Sequence, residues 1–207
     1  MYAPKHFLVE DPQILVELIS QYPLATVIAN LHGELEINHL PLMLSKDGKK
    51  LYGHIARTNP LKQVALQAKR DVTAVFHGPQ AYITPAWYPS KQETGKVVPT
   101  WNYAVVHASG LINLIDDPEW LRQHVSQMTD LHEPTYQSDW KLADAPEEYV
   151  QMMLKAIIGI EINITELIGK FKLSQNRSPA EYAGVVDHLK ESSAPNLQDM
   201  LRLMQKP

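Results

Sequence analysis

The chain has 207 residues, of which 44% are hydrophobic and 20% charged, and its formal net charge is −4. This composition is typical of a globular protein and excludes wholesale disorder, while the length suits one domain. No apolar run approaches the roughly 18 residues of a membrane span, and the first residues lack the apolar stretch of a signal peptide. The absence of cysteine excludes disulfides and thiolate chemistry. We therefore expect a single cytoplasmic domain with no membrane contact.

Charge is unevenly distributed along the chain. Between Gly48 and Gln92 there are seven basic residues and one acid, whereas between Asp116 and Glu166 there are eleven acids and three bases. The net negative charge argues against a protein that coats nucleic acid over its whole surface. The two segments are either solvated faces of opposite sign, or the basic one receives an anion such as a phosphate.

Helix starts are marked four times by a capping residue followed by proline, a pair that suits the first turn of a helix. These pairs begin at Asp11, Asn59, Asp117 and Ser178. Two more helices are predicted without such a pair, and in the first helix the apolar residues share one face at the helical period. The predicted helices are Pro12–Gln21, Pro60–Gln67, Pro118–Thr129, about Pro146–Lys155, Pro179–Lys190 and about Leu197–Met204.

β-rich runs alternate with these helices, and a hairpin signal falls at residues 46–48. Five to seven strands joined mostly by short hairpins predict a mainly β, α+β fold, an antiparallel barrel with peripheral helices. The proline-rich stretch 84–99 is predicted as an ordered loop. The predicted strands are Leu24–Ala29, Glu34–Leu44, Lys50–Ala56, Val72–His77, Ala81–Ile83, Trp101–Ile115 and Ile157–Lys172.

The common catalytic motifs, among them the nucleophile elbow, the phosphate loop and the HExxH zinc motif, are absent. The nine histidines are scattered, with no pair at helical metal-ligand spacing. His39 and His54 lie on neighbouring predicted strands and could meet, but two histidines alone are more commonly structural. We predict no metal site.

The stretch Gly53–Pro60, GHIARTNP, leaves a strand through a polar turn and enters a helix. Arg57 and Thr58 lie in the turn and Lys62 in the first helical turn. A guanidinium, a hydroxyl, an ammonium and backbone N–H groups together can bind a phosphate. The alternative is a capped helix with exposed basic residues. In either case we expect the Arg57 and Lys62 side chains to be solvent-accessible without a ligand.

Two other stretches carry polar or aromatic side chains. Lys170–Arg177, KFKLSQNR, leaves a strand with hydrogen-bond donors on nearly every residue. In Val97–Gly110, Trp101 and Tyr103 point to one strand face and Asn102 to the other. Such an aromatic pair is either core or a platform for a flavin ring.

Long strings of the sequence resemble a known family. HGPQAYITPAWYPSK (His77–Lys91), ETGKVVPTWNY (Glu93–Tyr103) and KLSQNR (Lys172–Arg177) are similar to signatures of the PaiB family, the FMN-binding negative transcriptional regulators. The opening MYAPKHF and the run Asp116–Glu133 also fit, and the likeness continues in order to about Lys190.

The resemblance implies a split β-barrel of the pyridoxamine-phosphate-oxidase type. It implies one FMN-binding domain over 1–207, with a helical extension from about 178. Arg57, Thr58 and Lys62 match the layout of that superfamily's phosphate site, and the backbone of Asn38–Leu40 would follow the flavin ring. The residues that the resemblance places at FMN are Asn38, His39, Leu40, His54, Ala56, Arg57, Thr58, Asn59, Lys62, Trp101, Asn102, Tyr103, Lys172, Ser174, Gln175, Asn176 and Arg177.

The function that the resemblance implies is a cytoplasmic homodimeric flavoprotein that binds promoter DNA and represses transcription. A homodimer also suits long strands, because pairing covers their exposed edges. The alternative is an FMN-dependent oxidoreductase or flavin reductase, with His39, His54 or Tyr103 as candidate proton donors. A haem-binding relative is a third, weaker possibility.

Overall fold

The computed structural model describes residues 1–205, so the last two residues of the predicted helical extension lie outside it. Three helices begin at the capping residues read from the sequence: the side chains of Asp11, Asp117 and Ser178 accept hydrogen bonds from backbone N–H groups of their first turns. No helix in residues 1–205 is long and apolar enough to cross a bilayer. The helices are α1 (Pro12–Gln21), α2 (Leu61–Ala65), α3 (Ser90–Glu93), α4 (Pro118–His132), α5 (Glu147–Lys155), α6 (Pro179–Glu191) and α7 (Pro195–Met204).

The helix predicted as Pro60–Gln67 is shorter than expected. Only Leu61–Ala65 is α-helical, because the N–H groups of Leu66 and Gln67 bond back by three residues and close the turn. The proline-rich stretch 84–99 is partly helical, with the 3₁₀ turn Pro85–Trp87 preceding α3.

Eight strands form one antiparallel sheet, in the order β3-β2-β6-β7-β8-β5-β4, with β1 paired to β8. Short hairpins join β2 to β3 and β4 to β5. In the register of the β2–β3 pair, Val27 lies opposite Asn38. The strands are β1 (Leu8–Val9), β2 (Leu24–Leu31), β3 (Glu34–Pro41), β4 (Met43–Leu44), β5 (Lys50–Ala56), β6 (Asp71–Ile83), β7 (Thr100–Ile115) and β8 (Ile157–Lys172).

Two strand predictions were wrong in detail. The run predicted as Glu34–Leu44 is interrupted at Leu42, whose N–H bonds to Pro23 O and whose side chain is buried. The two runs predicted on either side of residues 78–80 are one strand, β6. Gly78 permits this continuity, because a Cβ there would lie 2.8 Å from Leu18 Cδ1.

The chain forms two compact units. Unit 1 contains residues 1–22, 76–107 and those from 167 onward, and unit 2 contains residues 23–75 and 108–166. In unit 1, α6 and α7 bury Val185, Leu189 and Met200 against Ile83 and Tyr88. In unit 2, α4 and α5 pack through buried leucine and valine side chains, namely Leu121, Val150 and Leu154.

Within unit 2, Gly159 allows α4 to lie directly on the sheet. A Cβ at Gly159 would lie 2.4 Å from Trp120 Cζ3 and 3.0 Å from the Ile115 carbonyl oxygen. The Trp120 ring stacks on the His124 ring, with centroids 4.9 Å apart. Opposite Gly159 in the β5–β8 register lies His54, whose ring meets His124 edge-on at 5.5 Å.

Each histidine of this cluster, buried His124 and half-buried His54, has one ring nitrogen that is shielded from solvent. His54 Nδ1 and His124 Nε2 have no hydrogen-bond partner within residues 1–205. Burial lowers the pKa of His54, and burial together with His54 lowers the pKa of His124 to about 4. Both rings are therefore neutral at pH 7, where they pack as aromatic groups.

This burial predicts a loss of stability in mild acid. Between pH 6.5 and about 4 the unfolded chain takes up a proton on His124 and the folded chain does not, so protons favour unfolding in that window and have no such effect above it. The free energy of unfolding should fall by up to about 3 kcal/mol across the window. Urea unfolding at several pH values between 7.5 and 4.5 measures it.

The variant His124→Phe keeps an aromatic ring beside Trp120 and removes the titration, so its stability should change less over the same range. His77→Phe, at an exposed position of β6, is the matched control and should retain the wild-type pH dependence. Equal pH dependence in His124→Phe and wild type would show that this histidine does not couple stability to pH.

Candidate functional site

The polar turn that follows β5 lies against β3 in unit 2. The Asn59 side-chain amide donates to Asn38 Oδ1 at 2.6 Å, and Asn59 Oδ1 accepts from the Leu61 N–H at 2.8 Å. Asn38 in turn donates to Glu36 at 2.8 Å. Two residues predicted for the site, Asn38 and Asn59, are thus brought together, and their contact fixes the turn to its neighbouring strand.

The Arg57 side chain is 34% exposed, and its guanidinium is engaged by protein groups. Its Nε donates to Lys155 O at 2.9 Å, and both terminal nitrogens donate to the Asp116 carboxylate, at 3.0 and 2.5 Å. The Arg57 guanidinium, and after it Lys62, lowers the pKa of Asp116. No local pattern in the sequence predicts this pairing, because Asp116 lies 59 residues further along the chain.

Thr58 and Lys62 remain available to a ligand. Thr58 is exposed and Lys62 half-buried, and neither side chain makes a hydrogen bond or ion pair with any residue of 1–205. With Arg57 and Lys62 positive and Asp116 negative, the formal charge of the turn is +1. A hydroxyl and an ammonium in a positive setting can receive an anion.

The other predicted residues of unit 2 lie on the two strands beside the turn. His39 is exposed on β3 and its Nδ1 lies 3.2 Å from Thr26 Oγ1, while Leu40 is buried. On β5, Ala56 is exposed and His54 belongs to the His124 cluster. His39 and His54 therefore have separate partners, although the sequence allowed them to meet.

A cavity of about 510 Å³ opens beside Arg57, between α4 and α5. Its wall carries the acids Asp117, Glu119 and Glu147 as well as Arg122. Sequence reasoning missed this cavity, because the residues come from helices whose packing no local pattern predicts. The walls of this cavity carry charges of both signs, so the cavity favours an anion less than the positive turn of Thr58 and Lys62 does.

In unit 1, three predicted residues use their polar groups internally. Asn102 is fully buried, and its side-chain amide donates to the hydroxyl of buried Ser174 at 3.0 Å. Ser174 has φ of 65°, in the left-handed region. Gln175 donates to Phe171 O and accepts from the Leu173 N–H, both at 2.6 Å. These bonds shape the turn after β8, and a cofactor role for the three residues stays a prediction.

The remaining predicted residues of unit 1 present rings and positive charge. Trp101 is 52% exposed and meets Tyr82 edge-on at 5.7 Å, so it is not core. Lys172 donates to Thr100 Oγ1 and to Trp101 O.

Two other cationic side chains lie near Lys172. Burial, and then the nearby Arg177 and Lys170, lower the pKa of Lys172. Lys170 also lies 5.4 Å from the Tyr103 ring centroid, and Arg177 lies over the Tyr88 ring at 4.6 Å. Asn176 is exposed. This cationic cluster of unit 1 is a second place where an anion could bind. Within residues 1–205 no group of three or more potential ligands could hold a metal ion.

Comparison with known proteins places the chain in a family. Residues 1–166 match the family described as "Putative FMN-binding domain". The chain is 30% identical to the protease synthase and sporulation protein PAI 2 of Bacillus subtilis, over 99% of this chain and 97% of that protein.

Solved structures share the fold at low identity. The FAD and heme binding protein of Mycobacterium smegmatis superposes with a TM-score of 0.60 at 16% identity, covering 80% of this chain and 73% of its own. The flavocytochrome Anf3 of Azotobacter vinelandii gives 0.59 at 14%, covering 82% and 72%. The predicted fold class, a mainly β split barrel with peripheral helices, is confirmed. Because the sequence relationship spans nearly the whole chain, the protein belongs to the PaiB family of FMN-binding proteins, and FMN is its cofactor.

Proposed function

We propose that this protein is a cytoplasmic homodimer that binds FMN in unit 2 and represses transcription. The observation that carries the flavin site is the positive turn, in which the side chains of Thr58 and Lys62 form no hydrogen bond or ion pair with residues 1–205. The repressor role rests on the family resemblance of the sequence. A flavin-binding repressor needs a phosphate anchor, a second copy and a surface for DNA.

The residues of the turn fit the phosphate of FMN. That phosphate carries close to two negative charges, and charge-assisted hydrogen bonds are the strongest way to hold it. The Lys62 ammonium and the Thr58 hydroxyl would bind its oxygens, and Arg57 has two N–H groups beyond the three that it already uses. When bound, FMN supplies an isoalloxazine ring that can accept and release electrons.

The protein contributes rigidity to this site. Asn59 bonds to Asn38 on β3, and Arg57 bonds to Asp116 and to the Lys155 carbonyl. Side chains locked in this way hold a site in its binding geometry before the ligand arrives. In this proposal the backbone of residues 38–40 lies along the flavin, and Asp116 keeps the Arg57 guanidinium in place at the expense of some phosphate affinity.

Charge changes at Asp116 and Lys62 should shift FMN affinity in opposite directions. Lys62→Ala removes a charge-assisted donor worth about 1.5 to 3 kcal/mol, so the FMN dissociation constant should rise about ten-fold to a hundred-fold. Asp116→Asn removes a carboxylate near the phosphate and should lower the dissociation constant about three-fold to ten-fold. Calorimetric titration with FMN measures both.

Lys69→Ala, at an exposed lysine of unit 2, is the matched control and should leave FMN affinity within a factor of two, whereas Lys172→Ala tests the second candidate anion site. If Lys172→Ala weakens binding and Lys62→Ala does not, the cationic cluster of unit 1 holds the phosphate instead. If Asp116→Asn weakens binding, the Arg57–Asp116 pair acts by holding the turn rather than by opposing the phosphate.

An apolar edge supports the homodimer. β3 ends the strand order of the sheet, and its Leu35 and Ile37 are 71% and 52% exposed. Apolar side chains on an edge strand favour pairing with a second copy. The basic segment between Gly48 and Gln92, present twice in a dimer, is the candidate for contact with DNA phosphates.

Two measurements test the repressor. Sedimentation should give twice the chain mass of 23.5 kDa. Ile37→Lys would place a charge in the interface, so the sedimenting mass of this variant should shift toward that of the monomer. In a mobility-shift assay the wild type should retain particular fragments from a pool of upstream genomic DNA at roughly 0.15 M salt, because specific binding survives physiological salt.

Ile37→Lys should lose this retention together with the dimer, whereas Leu66→Lys, at another exposed apolar position of unit 2, should keep both. Retention that vanishes at physiological salt in the wild type, accompanied by flavin-dependent oxidation of a reduced nicotinamide, would contradict the repressor and favour the oxidoreductase.

A further inference from the structure

A cavity of about 410 Å³ lies within unit 2, between α4 and the hairpin that joins β4 to β5. Its size falls within the range of about 300 to 1,000 Å³ that small-molecule sites occupy. None of the residues 57–62 lines it. The cavity is therefore separate from the turn that we propose for the phosphate of FMN.

Aromatic rings form much of the cavity wall. The Trp120 ring stacks on the His124 ring at a centroid distance of 4.9 Å with the planes 9° apart, and the Tyr52 ring meets Trp120 edge-on at 5.9 Å. Met43, which lies opposite Tyr52 in the β4–β5 register, and Leu44 add aliphatic surface. Rings of this kind favour a flat apolar ligand, which can pack against their faces and edges.

The walls of the cavity are held in place from both sides. In the hairpin, the Ser45 hydroxyl donates to Asp47 at 2.6 Å and accepts from the Lys50 N–H at 2.9 Å. On the helix side, Gly159 lets the Trp120 ring lie directly on the sheet, because a Cβ there would lie 2.4 Å from it. The cavity is a preformed feature of the packing, as ligand sites usually are.

Three polar groups on the wall have no partner within residues 1–205. They are the ammonium of Lys46, the hydroxyl of Tyr52 and the side-chain amide of Gln127. All three can donate a hydrogen bond. A ligand that carries acceptor oxygens would therefore satisfy donors that the protein itself leaves unused.

The charge at the cavity is positive. Among the described residues of the wall, Lys46 carries the one formal charge at pH 7, because the pKa of His124 is lowered to about 4 by burial and by His54. The carboxylates of the hairpin and of the neighbouring strand already have cations beside them: Asp47 interacts with Lys49, and Glu161 is paired with Lys50 at 2.9 Å. Three lysines and two acids give a formal sum of +1, and Lys46 is the cation left without a partner.

We propose that this cavity binds a small planar aromatic carboxylate as a second ligand of the protein, beside FMN. The rings of Tyr52 and Trp120 would cover the aromatic body, which is the main source of affinity in such sites. The carboxylate would accept hydrogen bonds from the Lys46 ammonium and the Tyr52 hydroxyl. A cationic ligand is disfavoured, because the wall offers it no carboxylate.

Three probes of similar shape and different charge test the proposal: 2-naphthoate, 2-naphthalenemethanol and 2-naphthylmethylamine. Calorimetric titration of the full chain, with and without FMN, should show the carboxylate binding about three-fold more tightly than the alcohol and about ten-fold more tightly than the amine. Lys46→Gln should bring the carboxylate close to the alcohol. Lys49→Gln removes the same charge from an exposed position of the same hairpin that does not line the cavity, and it should keep the preference.

A second pair of variants tests the location. Gln127→Trp, at an exposed position of α4 that lines the cavity, should fill the opening and weaken binding of 2-naphthoate by about ten-fold or more. Leu131→Trp, 54% exposed on the same helix and outside the cavity wall, is the control and should bind as wild type does. Circular dichroism checks that both variants fold.

Equal affinity for the three probes, or preference for the amine, would overturn the charge selectivity. Unchanged binding in Gln127→Trp would place the probe elsewhere, and displacement of 2-naphthoate by FMN would overturn the claim of a second ligand. Each of these results contradicts the proposal. The phosphate anchor is tested separately, because Lys46→Gln should leave FMN affinity unchanged and Lys62→Ala should leave 2-naphthoate affinity unchanged.

Discussion

The close approach of α4 to β8 at Gly159 is the constraint on which the candidate flavin site of unit 2 depends. Any side chain at Gly159 would collide with the Trp120 ring and with the Ile115 carbonyl. With glycine there, Trp120 lies on the sheet and stacks on His124, which packs against His54 on β5. β5 ends in the polar turn of Arg57, so the packing of α4 positions the strand that leads into the proposed phosphate anchor.

The Arg57–Asp116 pair makes that turn more rigid and reduces its positive charge. Asp116 takes up both terminal nitrogens of the guanidinium, which fixes Arg57 and cancels its charge in part. Exposed ion pairs contribute little to stability, because water screens them and their side chains lose entropy. In the proposed site, the influence of the Arg57–Asp116 pair therefore falls mainly on the ligand. Within residues 1–205 the pair leaves Lys62 without an ion-pair partner, and it would make FMN affinity depend on Asp116, which does not contact the phosphate in this proposal.

Elements marked by local chemistry could be predicted from the sequence, and long-range pairings could not. The caps at Asp11 and Asp117 marked helix starts, and the β-rich run of residues 157–172 marked β8. β6 was divided in the prediction, because glycine and proline at 78–79 usually end a strand, and only packing against Leu18 shows why they do not. The Arg57–Asp116 pair was not predicted either, because Asp116 is distant from Arg57 in the sequence and no periodicity links the two.

The central claim is that the turn of residues 57–62 holds the phosphate of FMN, and comparing FMN with riboflavin tests it most directly. Riboflavin carries the same ring without the phosphate. Wild type should bind FMN about ten-fold to a hundred-fold more tightly than riboflavin, and in Lys62→Ala this ratio should fall toward one while riboflavin affinity stays unchanged. Equal affinities for the two flavins in wild type, or an unchanged ratio in Lys62→Ala, would contradict the claim.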